Sequence, residues 1–241
     1  MAKFNLNVFG DLEPIRQDDG PNPVVAIAYT AEFRSTMDIF RAVLRKGEFS
    51  RRVLDLTESI LDQNAANYTV WQYRRDCLRA LGSNLNEELD FMDNFAEDNP
   101  KNYQIWYHRR VIVEELNDAS RELAFCAKVF QVDSKNYHAW AHRQWVIRKF
   151  GLWEGELEYI NELLSLDIRN NSAWNQRWYV VHNCPEPVNN DIVRREIEFG
   201  FGLIERTLKN NESAWNYVRG LARHYPDVAS HHVRDRCVRK L

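Results

Sequence analysis

Cationic side chains recur at one place in this sequence. Lys101, Lys135 and Arg169 each immediately precede an asparagine, and those asparagines (Asn102, Asn136, Asn170) each lie four residues before a tryptophan (Trp106, Trp140, Trp174). Asparagine is a strong helix N-cap, because its side chain accepts from the orphan N–H groups of the first turn. The pattern therefore predicts a cation beside a helix N-terminus, where N–H donors and partial positive charge favour anions. Phosphate is the natural candidate, and such an edge would help stabilise a diphosphate leaving group. The same spacing also describes an ordinary solvated lysine beside a cap, and spacing alone leaves both readings open.

Other chemistry is poorly represented. The sequence contains no HExxH, GxSxG, P-loop or GxGxxG string. Its four cysteines, Cys77, Cys126, Cys184 and Cys237, form no CxxC pair and stand at no zinc-ligand spacing with histidine. With no secretory apolar region at the N-terminus, they suggest a reducing, cytoplasmic setting. Cys237 is followed by four residues rather than three, so no CaaX signal is expected of it. Any catalysis would use a few groups donated to a site completed by another chain.

The elements that must position these groups are repeats. Five strings share the pattern: Asn67–Trp71, Asn102–Trp106, Asn136–Trp140, Asn170–Trp174 and Asn211–Trp215. The tryptophans are 35, 34, 34 and 41 residues apart, and the first four are followed three residues later by Arg74, Arg109, Arg143 and Arg177. A period near 34 residues is that of one helical hairpin. Each Asn is predicted to cap the first helix of a hairpin. Segments 87–95, 120–130 and 154–166 read as the second helices, and 30–63 as a degenerate earlier hairpin. Pro185 and Pro187 suggest that the extra residues before Trp215 lengthen a loop. Tyr103, Trp106 and Arg110 share one helix face and read as packing between hairpins. His108 and His142 read as structural, while Glu87-Glu88 and Glu114-Glu115 read as solvated faces.

The predicted fold is therefore all-α, a right-handed αα superhelix built as a solenoid of hairpins. Residues 1–29 form a lead-in interrupted by Asp18-Asp19-Gly20-Pro21-Asn22-Pro23, residues 30–223 the repeats, and residues 224–241 a divergent tail that either caps the array or frays. Hydrophobic residues make up 44% of the chain, enough for a sizeable core, and a net charge of −3 argues against nucleic-acid binding. No apolar run is long enough to cross a bilayer.

The strings Asp19–Val24, Asn64–Trp71, Pro100–Gln104, Asn136–Trp140 and Asn211–Tyr217 closely resemble the α subunit shared by protein farnesyltransferase and geranylgeranyltransferase type I. The resemblance implies a partner, a β subunit built as an α/α barrel, that holds the catalytic zinc and most of the isoprenoid pocket. It also implies magnesium in the farnesyl enzyme, and farnesyl or geranylgeranyl diphosphate and CaaX-ending proteins as substrates. It assigns Lys101 to the diphosphate, with Tyr103 and His138 beside it. Gln104 is assigned to the CaaX carboxylate and Tyr68 to the peptide site, while Asn136 and Tyr137 fall in the same region. In that family the chain continues with further helices, whereas here the match fades near Arg223. This departure reads as a shortened family member, an alternative product or an inaccurate gene model, and bears on stability and on heterodimer formation. A non-catalytic repeat scaffold and the Rab geranylgeranyltransferase α subunit are the competing readings; the Asp-Gly-Pro-Asn-Pro and Asn-Tyr-Gln strings favour the CaaX enzymes.

Overall fold

The computed structural model describes residues 4–25, 27–206 and 210–238. The side chain of Cys237 and the end of the tail, residues 239–241, lie outside the described residues. A 3₁₀ turn at Leu6–Phe9 precedes an extended lead-in. The helices are α1 (Ala31–Lys46), α2 (Arg51–Gln63), α3 (Tyr68–Leu81), α4 (Leu85–Asp98), α5 (Tyr103–Leu116), α6 (Glu122–Val132), α7 (Tyr137–Phe150), α8 (Glu156–Leu166), α9 (Asn171–Asn183), α10 (Asn190–Arg206), α11 (Glu212–His224) and α12 (Pro226–Val238). No strand occurs among the described residues. The chain forms two compact units, Met1–Asp118 and Ala119–Leu241.

Four of the five predicted asparagine caps form. The side chains of Asn67, Asn102, Asn136 and Asn170 accept from the backbone N–H groups of Val70, Gln104, Ala139 and Ser172. Asn211 has cap-like backbone angles but no side-chain cap bond. Its amide instead donates to the Ile168 carbonyl at 3.1 Å, and its buried Oδ1 has no partner among the described residues. The other ends of α3, α5 and α7 are closed by left-handed residues, Gly82, Asn117 and Gly151. These are the residue types that tolerate positive φ.

The four internal tryptophans act as hairpin pins. Nε1 of Trp71, Trp106, Trp140 and Trp174 donates to the carbonyl six residues earlier, on Ala65, Pro100, Ser134 and Ile168, at 2.8–3.0 Å. Each indole is buried, so its one polar atom needs this partner. The bond ties each Trp helix to the turn that leads into it. Accordingly, the closely packed pairs are α2–α3, α4–α5, α6–α7, α8–α9 and α10–α11. The hairpin phase expected from the sequence is corrected by one helix: the Trp helix comes second in its pair.

The arginines three residues after these tryptophans are buried. Arg74 makes a two-pronged bond to Glu88, both contacts 2.7 Å, and also donates to the Leu54 carbonyl. Arg143 does the same with Glu156 and the Leu123 carbonyl, and Arg177 with Glu196 and Asn161. Arg109 bonds Asp93 at 2.6 Å. The guanidinium groups of Arg74, Arg143 and Arg177 also lie 3.5–4.3 Å from the ring centroids of Phe91, Tyr159 and Phe199. Each of these three arginines is thus anchored in its own helix pair and reaches a glutamate of the next. The expected packing stripe is corrected here. Trp106 is buried, but Tyr103 and Arg110 are exposed, and the buried arginine is Arg109.

Glu88 is the other correction. Glu87, Glu114 and Glu115 are exposed as expected, whereas Glu88 is buried between Arg74 and His108. The extra residues before Trp215 also go elsewhere than expected. They lengthen α10, which has 17 residues where α6 and α8 have 11. Val193, Ile197, Phe201 and Ile204 continue its apolar stripe, and Gly200 lets α11 approach: a Cβ there would stand 2.5 Å from Cγ2 of Val218. The tail does not fray over its described part. Helix α12 packs on α10 and α11, with Ala229 buried and Arg236 paired to Glu198 and Glu205.

Candidate functional site

Side-chain pairs across the Trp helices fix their direction. Arg75 of α3 meets Tyr107 and His108 of α5, and Arg79 meets Glu115. Residue numbers rise together, so α3 and α5 run parallel and present their N-termini at the same end of the first unit. Asn170 meets Ser134 and Gln176 meets Gln144, while Asn211 meets Ile168 and Tyr217 meets Trp178, so α7, α9 and α11 of the second unit also run parallel. The expected edge of aligned N-termini is present within each unit.

In the first unit this edge carries Tyr68 as the first residue of α3, and Lys101, Tyr103 and Gln104 around the start of α5. Tyr68 and Tyr103 are 71% and 68% exposed, which rules out a core role. Lys101 is exposed in the turn ahead of Asn102, and Gln104 is partly buried, with its N–H received by the Asn102 cap at 2.9 Å. The cap therefore orders the turn that holds Lys101, Tyr103 and Gln104 together.

In the second unit the start of α7 carries Asn136, Tyr137 and His138. Asn136 is 2% exposed and its Oδ1 receives the Ala139 N–H at 3.0 Å, so its side chain is engaged in capping. Tyr137 is 70% exposed, and its ring meets that of His138 edge-on, with centroids 5.5 Å apart.

What holds α5 in place is the buried charge beneath it. Arg75 Nη1 faces His108 Nδ1 at 3.3 Å, and a guanidinium can only donate. That makes Nδ1 the acceptor and leaves the ring hydrogen on Nε2, which donates to Glu88 at 2.8 Å. Burial works against the Glu88 charge, but the bonds from His108 and Arg74 outweigh it and hold the carboxyl at about 2. Burial pushes the His108 imidazole below its ordinary value against the pull of Glu88. The arrangement is a neutral histidine on a fixed carboxylate, as a structural role requires.

The glutamates are the residues that sequence reasoning missed. Glu122 pairs with His142, Glu156 with Gln176, and Glu196 with Tyr217, in each case the residue two positions after the repeat tryptophan. The signal was present: Glu88, Glu122 and Glu156 are 34 residues apart.

The model of the protein prenyltransferase alpha subunit repeat matches residues 50–81, 85–116, 119–150 and 153–184. Those windows coincide with the pairs α2–α3, α4–α5, α6–α7 and α8–α9, in the phase set by the tryptophan bonds. The chain belongs to the protein prenyltransferase α subunit family. It is 44% identical over 221 residues to the protein farnesyltransferase/geranylgeranyltransferase type-1 subunit alpha of Dictyostelium discoideum, covering 88% of this chain and 68% of that one. It is 57% identical over 81 residues to the protein of the same name from Arabidopsis thaliana, covering 34% and 25%. A solved structure of Candida albicans protein geranylgeranyltransferase-I complexed with GGPP superposes with a TM-score of 0.84. The identity there is 29%, with 94% of this chain and 77% of that one covered. No helix among the described residues is long and apolar enough to cross a membrane.

Proposed function

We propose that this chain is the α subunit of a heterodimeric CaaX protein prenyltransferase, which moves a farnesyl or geranylgeranyl group from an isoprenoid diphosphate to the cysteine of a C-terminal CaaX sequence. One observation supports this above others. In a member of this family, the start of α5 displays Tyr103, and the turn just ahead of its Asn102 cap displays Lys101, to solvent at a helix N-terminus. As the C1–O bond of the isoprenoid breaks, negative charge grows on the departing diphosphate, and the Lys101 ammonium stabilises it. Tyr103 and His138 flank the diphosphate, Gln104 donates to the CaaX carboxylate, and Tyr68 lines the peptide site. Asn136 contributes by ordering the turn that carries Tyr137 and His138. Within the described residues, no group of three or more His, Cys, Asp or Glu is placed to hold a metal ion. In this reading zinc and magnesium belong with the β subunit, where zinc would hold the substrate cysteine as thiolate. The assembled enzyme would work in the cytoplasm.

Single-turnover kinetics on the reconstituted heterodimer test the assignment. Lys101→Ala is expected to slow the chemical step by ~10²–10³ with little change in diphosphate affinity. Lys135→Ala, at the same place one repeat later, is expected to react like the wild type. Equal rates for Lys101→Ala and wild type, or equal impairment of both variants, would return Lys101 to the surface lysines.

A further inference from the structure

One capping asparagine of the second unit does more than cap. Asn170 is 1% exposed, and both ends of its carboxamide are engaged. Its Oδ1 accepts from the Ser172 N–H at 3.0 Å and so starts α9. Its Nδ2 donates at 3.2 Å to the carbonyl of Ser134, in the turn ahead of α7. A carbonyl only accepts and a backbone N–H only donates, so these partners fix which way the amide points. Asn211 repeats the second bond, to the Ile168 carbonyl at 3.1 Å in the turn that carries Asn170, without the cap. The first unit has no counterpart among the described residues. There the Asn102 side chain caps α5, and the Ala65 carbonyl receives the Trp71 indole alone.

The residue type at position 170 follows from this double duty. Aspartate caps a helix about as well as asparagine, so capping alone does not require a carboxamide. An ionised aspartate has no N–H to give, whereas asparagine offers an acceptor to its own helix and a donor to a neighbouring carbonyl in one plane.

The Ser134 carbonyl receives two bonds. Trp140 Nε1 donates to it at 3.0 Å and ties the turn to its own helix, while Asn170 ties the same turn to the next repeat. Two lone pairs thus meet two donors. The turn itself is closed locally. Asp133 Oδ1 accepts from the Lys135 N–H at 3.1 Å, the Asp133 carbonyl from the Asn136 N–H at 3.0 Å, and Asn136 then caps α7. Fixing the Ser134 carbonyl therefore fixes where α7 begins, and with it Tyr137 and His138, its first two residues. From this geometry we infer that Asn170 is a positioning residue for prenyl transfer: acting through the Ser134 carbonyl, it holds the turn that aims His138 at the departing diphosphate. The inference rests on the role proposed for His138 above.

The test uses the full chain reconstituted with its β subunit, a prenyl diphosphate and a CaaX peptide, read by single-turnover kinetics. Asn170→Asp keeps the cap acceptor and removes the donor to Ser134; Asn170→Ser does so without adding a charge. Both should keep wild-type helicity by circular dichroism and wild-type affinity for the β subunit. Each should slow the chemical step about ten- to a hundredfold, as His138→Ala should. Combining Asn170→Ser with His138→Ala should be no slower than His138→Ala alone, because the two changes remove one contact. Wild-type rates in both Asn170 variants, with His138→Ala impaired, overturn the positioning role and leave the subunit role intact. Slowing that multiplies with that of His138→Ala, or loss of helicity or β binding in both Asn170 variants, shows a general structural role and also overturns it. If His138→Ala reacts like wild type, Asn170 has no group to act through and the inference falls, while Lys101 keeps its own test. If the wild-type heterodimer transfers no prenyl group, the subunit role falls and the inference falls with it.

Discussion

Glu88 in the first unit and Glu196 in the second occupy the same place in the repeat and are held differently. Both are buried, and both receive a buried arginine from the preceding helix pair, Arg74 or Arg177. The remaining buried partner is His108 for Glu88 and Tyr217 for Glu196, which also receives the exposed Arg195 at 3.4 Å. A histidine can take up a second proton in the mildly acid range, whereas a tyrosine cannot. Burial, reinforced by Glu196, pushes the Tyr217 phenol well above its ordinary value, so it remains a neutral donor. One repeat position therefore yields an acid-sensitive joint at Glu88 and an acid-indifferent donor at Glu196. Changing a single residue type at a conserved geometry changes how a buried charge responds to its surroundings.

The largest effect that would break this comparison is removal of the shared partner. Arg74→Ala and Arg177→Ala each remove the buried cation from a buried glutamate, and each should lower stability by about 3–5 kcal/mol in denaturant unfolding, Arg177→Ala by the lesser amount because the exposed Arg195 still reaches Glu196. A much smaller loss in one unit would mean that water or another donor replaces the arginine there.

Acidification sharpens the contrast. The His108 value is lower folded than unfolded, so the unfolded chain binds more protons as pH falls below about 6.5, and stability falls with pH. Glu88 is lowered from 4.5 to about 2, so its contribution is complete above pH 4.5 and is lost between there and pH 2. Between pH 7 and 5 the first unit should lose stability, read by hydrogen exchange of α4 and α5. His108→Gln should remove that step, and a profile unchanged by the substitution would relocate the sensitivity.

The smallest expected effect is Tyr217→Phe. It removes one 2.8 Å bond to a carboxylate that Arg177 still holds, and should lower stability by about 1–2 kcal/mol at every pH between 5 and 8. An acid-dependent loss would show that Glu196 needs the tyrosine to stay ionised.

Much of this molecule was legible before any coordinates. The 34-residue period gave the helices, and the asparagine caps gave their starts to within a residue at Tyr68, Tyr103 and Tyr137. Local signals sufficed because capping is a bond between neighbours in the chain. The candidate turns at Lys101 and Asn136 were legible for the same reason. Glu88 was misread because an acidic pair on an amphipathic helix looks solvated until its partners are known, and those lie 14 and 20 residues away. The hairpin phase was misread because a regular alternation of helices gives two equal choices of pairing. Asn211 departs from its repeat because its amide is drawn to the Ile168 carbonyl, 43 residues away.

What the sequence by itself determined is the inventory: a helical repeat of about 34 residues, where the Trp helices start, and which turns carry a cation beside a cap. These follow from backbone hydrogen bonding and side-chain spacing over fewer than ten residues. Tertiary structure alone decided which helices pair, which charges are buried, and which grooves stay open. Those outcomes depend on long-range partners. An arginine, a glutamate and a histidine from three successive helices pair one charge and satisfy one another's hydrogen bonds, whereas alanine and asparagine at the position after the repeat tryptophan leave a groove open.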